Sequence, residues 1–381
     1  MHTVSARIAR TLAFLLTFMM LTNGYADNHK QAEEEEPSWD VSQPRGELAT
    51  VSLDTRQSTW SNLSLSPDGE QILFDMLGDI YLLPIAGGDA QPLVQGFDWN
   101  MQPQYSPDGS KIAFISDRDG ARNLWLMNAD GSEPYQVSKE TTTFVHTPSW
   151  SPDGNYIAVT KGYMSSRSIP AGEIWIYHRS GGDGVQVKAR EHDRHSQKSS
   201  TDPVFSPDGR YLYYSKDVTP GRVWAYGKSS TTELFNIMRH DLQTGEEESY
   251  IGGAGGAVVP TPSPDGRHMA YLKREDTKTV LYLKDLKSGI DRRLYTEMER
   301  DHQETFGSEG NFAYFDWSAD GREIVFWTAG QFHRLAVDSL EVTSIPMHIK
   351  AEKQVQKAPR FAVDVAPDQM DIKMIRWASH G

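Results

Sequence analysis

The 381-residue sequence contains no cysteine. That absence excludes disulfides, thiolate metal sites, iron–sulfur clusters and cysteine nucleophiles. Positive charge is scarce as well: 38 Lys and Arg stand against 52 Asp and Glu, a formal net charge of −14. So acidic a chain lacks the counterion-release term that drives binding to a phosphate backbone, and no nucleic acid partner is expected. No apolar run beyond residue 22 is long enough to suggest a membrane span. What is plentiful points elsewhere. Trp 10, Tyr 16 and Phe 14, with 31 Gly and 20 Pro, suit many short strands joined by tight turns, and favour an all-β chain.

The N-terminus reads as an address followed by a spacer. Arg7 and Arg10 precede an apolar stretch from Thr11 to Thr22, and Gly24-Tyr25-Ala26 offers small residues at a cleavage site. This is the three-part layout of a secretory signal peptide over residues 1–26, too short in its apolar part to span a bilayer. A periplasmic or secreted bacterial protein is expected, with no membrane span once the signal is removed. Residues 27–47, with Glu33 to Glu36 in a row, read as an acidic linker.

One tetrapeptide then recurs along the chain. Ser-Pro-Asp-Gly occurs at 66–69, 106–109, 151–154, 206–209 and 263–266, with Ser-Ala-Asp-Gly at 318–321. Proline presets φ, aspartate tolerates the next position and glycine accepts positive φ, so each copy predicts a type I turn closed by a glycine bulge between antiparallel strands. Alternating segments flank each turn, as in Lys111-Ile112-Ala113-Phe114. Pro103, Pro148, Pro203 and Pro260 hold one offset before it, which marks an edge strand. A third strand keeps register in every copy (Asp79-Ile80-Tyr81, Asn123-Leu124-Trp125, Glu173-Ile174-Trp175) and turn signals lead to a fourth. Four strands per repeat of 40 to 57 residues is one propeller blade. The expected fold is a β-propeller of six four-stranded blades over residues 48–349, with 350–381 starting a further blade or leading to a missing C-terminal part. The strand Leu48–Leu53 is expected to close the ring by completing the last blade.

The insertions concentrate on one side. The long connections Lys161–Gly172, Lys216–Thr232, Lys188–Asp202 and Thr296–Phe312 all emerge opposite the Ser-Pro-Asp-Gly turns in an antiparallel blade, where repeat rings place their binding loops. Candidate binding residues at this channel mouth are Arg167, Glu173, Arg222, Trp224, Tyr226, Asp301, His302 and Glu304. They could form a polar and aromatic rim that grips a peptide or a protein domain; equally, such loops are ordinary solvated surface. His192 and His195 lack any further ligand pattern and carry no metal site. Gly252–Gly256 lacks the spacing of a phosphate-binding loop. No catalytic residues, metal ligands or cofactor site stand out: there is no Gly-x-Ser-x-Gly, His-Glu-x-x-His or His-x-His.

The unit Pro-x-aromatic-Ser-Pro-Asp-Gly-x-x-Ile-Ala-Phe, as at 103–114, resembles the propeller repeats of TolB and the tricorn-type proteins. Longer strings (Gly78–Gly88, Ala171–Gly182 and Asp217–Gly221) resemble the N-terminal half of exported amidohydrolases that carry TolB-like repeats. The resemblance implies a non-catalytic propeller that gates substrate, or docks a metal-dependent amidohydrolase domain whose zinc-type ligands are absent here. Asp371–Trp377 resembles the strand before another turn, and the sequence stops at Gly381 where that turn is due, so a fragment is expected. The alternative is a stand-alone TolB-like scaffold that binds a protein partner in the cell envelope.

Overall fold

The computed structural model describes residues 40–165, 169–190, 195–224, 226, 229, 231–305, 311–358, 360 and 368. Strand β1 (Leu48–Thr55) comes first, and six antiparallel four-stranded sheets follow in chain order. Blade 1 comprises β2 (Leu63–Leu65), β3 (Gln71–Met76), β4 (Asp79–Pro84) and β5 (Gly88–Val94). Blade 2 comprises β6 (Asn100–Tyr105), β7 (Lys111–Ser116), β8 (Asn123–Asn128) and β9 (Tyr135–Gln136). Blade 3 comprises β10 (Phe144–Trp150), β11 (Tyr156–Met164), β12 (Pro170–His178) and β13 (Val185–Lys188). Blade 4 comprises β14 (Ser200–Phe205), β15 (Tyr211–Asp217), β16 (Phe235–Asp241) and β17 (Glu247–Ile251). Blade 5 comprises β18 (Val258–Pro262), β19 (His268–Glu275), β20 (Lys278–Asp285) and β21 (Asp291–Tyr295). Blade 6 comprises β22 (Asp316–Trp317), β23 (Glu323–Thr328), β24 (Gln331–Ala336) and β25 (Val342–Ile345), and β26 (Met347–Gln356) ends the series. The fold is the expected six-bladed propeller, with no helix among the described residues.

The repeated turn works as its chemistry predicts. In blade 2 the Gly109 amide donates to Ser106 O at 2.8 Å, and Gly109 takes φ +69°. Ser106 Oγ donates to Asp108 Oδ1 at 2.6 Å and accepts from the Lys111 amide at 2.9 Å. The same pair of bonds recurs at Ser66, Ser151, Ser206, Ser263 and Ser318. Blades also touch through this turn: a Cβ on Gly109 would lie 3.3 Å from Pro67 of the preceding blade. The sixth copy carries Ala319 where the others carry proline, and Gly69 of blade 1 meets nothing within 4 Å.

Six apolar clusters occupy the six gaps between neighbouring blades. Leu73, Ile80, Ile112, Phe114 and Met127 fill the first gap, between blades 1 and 2. Four further clusters fill the gaps from blade 2 round to blade 6. The last joins Phe74 and Tyr81 of blade 1 to Val325, Trp327 and Phe332 of blade 6. The ring is therefore closed by packing as continuous as that between any two of its blades.

Closure differs from the expectation in one respect. Leu48–Leu53 does not complete the last blade, because β25 already occupies its outer position. After Pro346 the chain instead crosses to blade 1, where β26 pairs parallel with β5 (Met347 opposite Gly88, Ile349 opposite Ala90). β1 then pairs antiparallel along the outside of β26, from Leu48 opposite Gln356 to Thr55 opposite Ile349. The crossing needs glycine at position 87, whose φ is +85° and where any Cβ would strike Pro346 O. Residues 350–356, read in the sequence as part of a further blade or of a linker, lie in β26, which forms a strap on blade 1 with β1. Residues 371–377 lie outside the described residues.

Candidate functional site: the connection face and the channel

The innermost strands β6, β10, β14 and β18 each break register just before the turn, at Gln102-Pro103, Thr147-Pro148, Asp202-Pro203 and Val259-Pro260. Proline has no N–H to give the ladder, so the bulge falls there. The residue ahead of each proline is forced to positive φ: Gln102 +53°, Thr147 +57°, Asp202 +56° and Val259 +55°. Such backbone costs on the order of 1–3 kcal/mol per residue and persists only where its surroundings hold it.

What holds it is a chain of hydrogen bonds around the channel. Asp75 of blade 1 accepts from the Asn62 amide at 2.7 Å and, across the gap, from the Gln102 amide at 2.7 Å. Gln102 Oε1 accepts from the Thr147 amide of blade 3 at 2.7 Å, and Ser215 Oγ from the Val259 amide at 3.0 Å. Tyr314 of blade 6 donates its amide to Asn62 Oδ1 at 3.2 Å, and its hydroxyl reaches Asp202 Oδ1 of blade 4 at 3.1 Å. The Tyr314 side chain thus spans the channel between non-adjacent blades. Burial raises Asp75 and Asp316 to about 6, raises Asp202, and carries Tyr314 well above its ordinary value.

Two depressions of the connection face lie beside this waist among the described residues. One, over blades 1 and 2, is lined by Trp60, Leu77, Trp99, Asp117 and Arg122. Trp99 is 48% exposed, its amide held by Asp117 Oδ1 at 2.7 Å. The other lies over blades 3 to 6, between Phe144, His146, Asp202, Trp224, Gln303 and Phe312.

The candidate residues divide between these surfaces and the interior. Trp224 lines the second depression and stacks on Tyr226, ring centres 5.5 Å apart, with Tyr226 58% exposed. Arg222 lies in the same exposed loop. Glu173 is buried; it accepts from Trp175 Nε1 at 3.1 Å and Gln186 Nε2 at 2.7 Å, and Arg190 lies 3.3 Å away. Asp301 and Glu304 both face the buried Arg274, at 2.7 and 3.2 Å. His302 packs edge-on beneath Trp60, 4.7 Å between ring centres, and burial lowers its pKa. Arg167 and His192 lie outside the described residues. Among the described residues no group of three or more His, Cys, Asp or Glu could hold a metal ion. No described helix is long and apolar enough to cross a membrane.

Sequence reasoning missed His146, Asp202, Gln303, Asn311, Trp60 and Trp99. A signal for one of them was present. The residue before the repeat's proline is polar in three copies (Gln102, Thr147, Asp202), and a polar side chain beside a bulge on an innermost strand is aimed at the channel.

The fold and its repeated turns define a six-bladed β-propeller. Residues 47–175 match the family described as the TolB beta propeller domain. The chain is 26% identical to the uncharacterized protein Atu1656 of Agrobacterium fabrum over 275 residues, 68% of this chain and 82% of that protein. It is 32% identical over 174 residues to the uncharacterized peptidase YuxL of Bacillus subtilis, covering 37% of this chain and 25% of the relative. It is 25% identical over 273 residues to tricorn protease homolog 1 of Streptomyces coelicolor, covering 71% of this chain and 23% of the relative. The chain spans only about a quarter of each of the latter two. Among solved structures, a TolB from Agrobacterium tumefaciens aligns with TM-score 0.52 and 22% identity, covering 74% of this chain and 89% of that one. TolB from Acinetobacter baumannii aligns with TM-score 0.55 and 16% identity, covering 78% and 66%. These likenesses establish the fold.

Proposed function

We propose that this propeller is a non-catalytic docking module of the bacterial cell envelope, whose connection face receives a peptide or a partner domain. The observation that carries the reading is the asymmetry of the ring. One face repeats a single short turn six times, whereas the other holds every long connection and the exposed Trp99 and Tyr226. Loops on one side of a rigid ring are where such folds bind. The peptidase and tricorn relatives, of which this chain covers about a quarter, are consistent with a propeller serving a larger hydrolase. The strings around Gly78–Gly88 and Ala171–Gly182 favour a metal-dependent amidohydrolase as that catalytic part, with the zinc-type ion belonging to it and not to this chain. Residues 1–26 favour export.

The test is photo-crosslinking in the native cell envelope from Trp99, from Tyr226 and from Arg267 on the turn face. The expected result is one adduct, formed from Trp99 and Tyr226 and absent from Arg267, whose partner is a hydrolase domain with chelator-sensitive activity. Equal capture from both faces, or capture from Arg267 alone, contradicts the proposal.

A further inference from the structure

The depression over blades 3 to 6 has a chemistry of its own. No lysine or arginine is among its described lining residues. Among its lining residues is the half-buried Asp202, whose side-chain donors among the described residues are hydroxyls: Thr201 Oγ1 at 2.9 Å, Tyr314 at 3.1 Å, and Ser215. No cationic side chain pairs with it among the described residues. Other acids on this face do have such a partner: Asp217 has Lys198 at 3.1 Å and Asp301 has Arg274, whereas Asp75 has its carboxylate occupied by two backbone amides and the Asn62 side chain. A carboxylate drawn out of water without a counter-charge is costly unless something supplies one.

Three further polar atoms of the same hollow are buried and unpaired: His146 Nδ1, Gln303 Oε1 and Asn311 Oδ1. His146 and Gln303 are 5% and 2% exposed. Gln303 spends its amide nitrogen on Gly255 O at 2.8 Å, which leaves its oxygen as an acceptor. Burial and the nearby Arg122 push His146 down to about 3, so its ring is neutral and offers no positive charge to an anion. Unsatisfied buried acceptors are rare in folded proteins and ask for a donor. The walls are aromatic, from Phe144, Trp224 and Phe312, and aromatic faces favour a cation over an anion.

We propose that this hollow binds an organic primary ammonium group, with Asp202 as its counter-charge and Gln303 and Asn311 as hydrogen-bond acceptors. A donor-only cation satisfies the carboxylate and the orphaned oxygens together, and the aromatic walls receive the apolar group that carries it. Two sources share this chemistry: the α-ammonium of a peptide, and a lysine-type side chain or diamine. The inference deepens the docking reading and rests on it, by giving the connection face a defined ligand end.

Calorimetric titration of the full chain with phenylalaninamide, N-acetylphenylalaninamide, cadaverine and calcium chloride tests it. Phenylalaninamide or cadaverine is expected to bind, and which of them binds tells the peptide end from the lysine-type source. The acetylated compound, which keeps the ring and loses the charge, is expected to bind at least about tenfold more weakly, ~1.4 kcal/mol. Asp202→Asn is expected to lower amine affinity by about tenfold or more with an unchanged unfolding midpoint, since an amide oxygen still accepts from Tyr314. Asn311→Leu is expected to weaken binding while leaving the unliganded protein as stable or more so, because it removes an unpaired acceptor. Binding of neither amine, equal binding of the acetylated compound, wild-type affinity in Asp202→Asn, or binding of calcium in place of amines overturns the proposal. If amines fail while Trp99 and Tyr226 still crosslink a partner, this inference falls and the docking reading stands.

Discussion

Asp75 shows how single residues in this ring act across blades. Its carboxylate ties Asn62 of its own blade to the bulge of the next through three donors at 2.7 to 3.0 Å. Burial raises it to about 6, whereas an unfolded aspartate titrates near ~3.9. Between those values the folded chain holds a proton that the unfolded chain has released, so this group's contribution to stability falls as pH rises through the window. His146, lowered to about 3, acts in the opposite sense, so the comparison must be between variants. The unfolding free energy of wild type minus that of Asp75→Asn is expected to fall by about 2–3 kcal/mol from pH ~4 to pH ~7, measured by urea denaturation. A difference that does not change with pH contradicts the assignment. Residues of this kind were hard to read in the sequence. Ser106 and Asp108 announce their turn because their partners lie within five positions. Tyr314 and Asp202 meet across 112 positions, and nothing local to either signals the other.

At the scale of elements, the blades were legible and the strap was not. Turn chemistry and alternation fix a blade from about 40 contiguous residues, as in β6 to β9. β26 carries the alternating pattern of any strand (MHIKAEKQVQ), and its pattern does not say which edge it will join. That choice is made by tertiary detail: Gly87 lets Pro346 pass, and Lys353 reaches Asp79 at 2.5 Å. Asp79 is fully buried at the start of β4, so Lys353 supplies the counter-charge that its burial demands. Lys353→Met is expected to destabilise the chain by about 3–5 kcal/mol, the usual cost of leaving a buried charge unpaired. Lys353→Met combined with Asp79→Asn is expected to recover a large part of it. Urea denaturation of the three proteins checks the pair, and a loss in Lys353→Met below about 1 kcal/mol would show the strap to be held without it.

For the whole molecule, the placement of a binding face depends on the ring being closed. Only a closed ring sets six groups of connections around one mouth and brings Tyr314 of blade 6 over Asp202 of blade 4. The same closure sets the Trp60 ring of blade 1 on His302 and puts Ser58 against Trp327 Nε1 at 2.9 Å. With no cysteine available, the seam rests on one apolar cluster, on these polar contacts and on the parallel pairing of β26 with β5. Hydrogen exchange of the full chain, resolved to peptides spanning β5 and β26, measures that seam directly. The closed six-bladed ring predicts that the amides of Gly88 and of Met347–Ile349 exchange as slowly as those of β3 and β23 and lose protection only when the blades unfold. Rapid exchange at Gly88 and Met347–Ile349 while β3 and β23 stay protected would show that the β5–β26 pairing does not hold the seam, and would contradict the account.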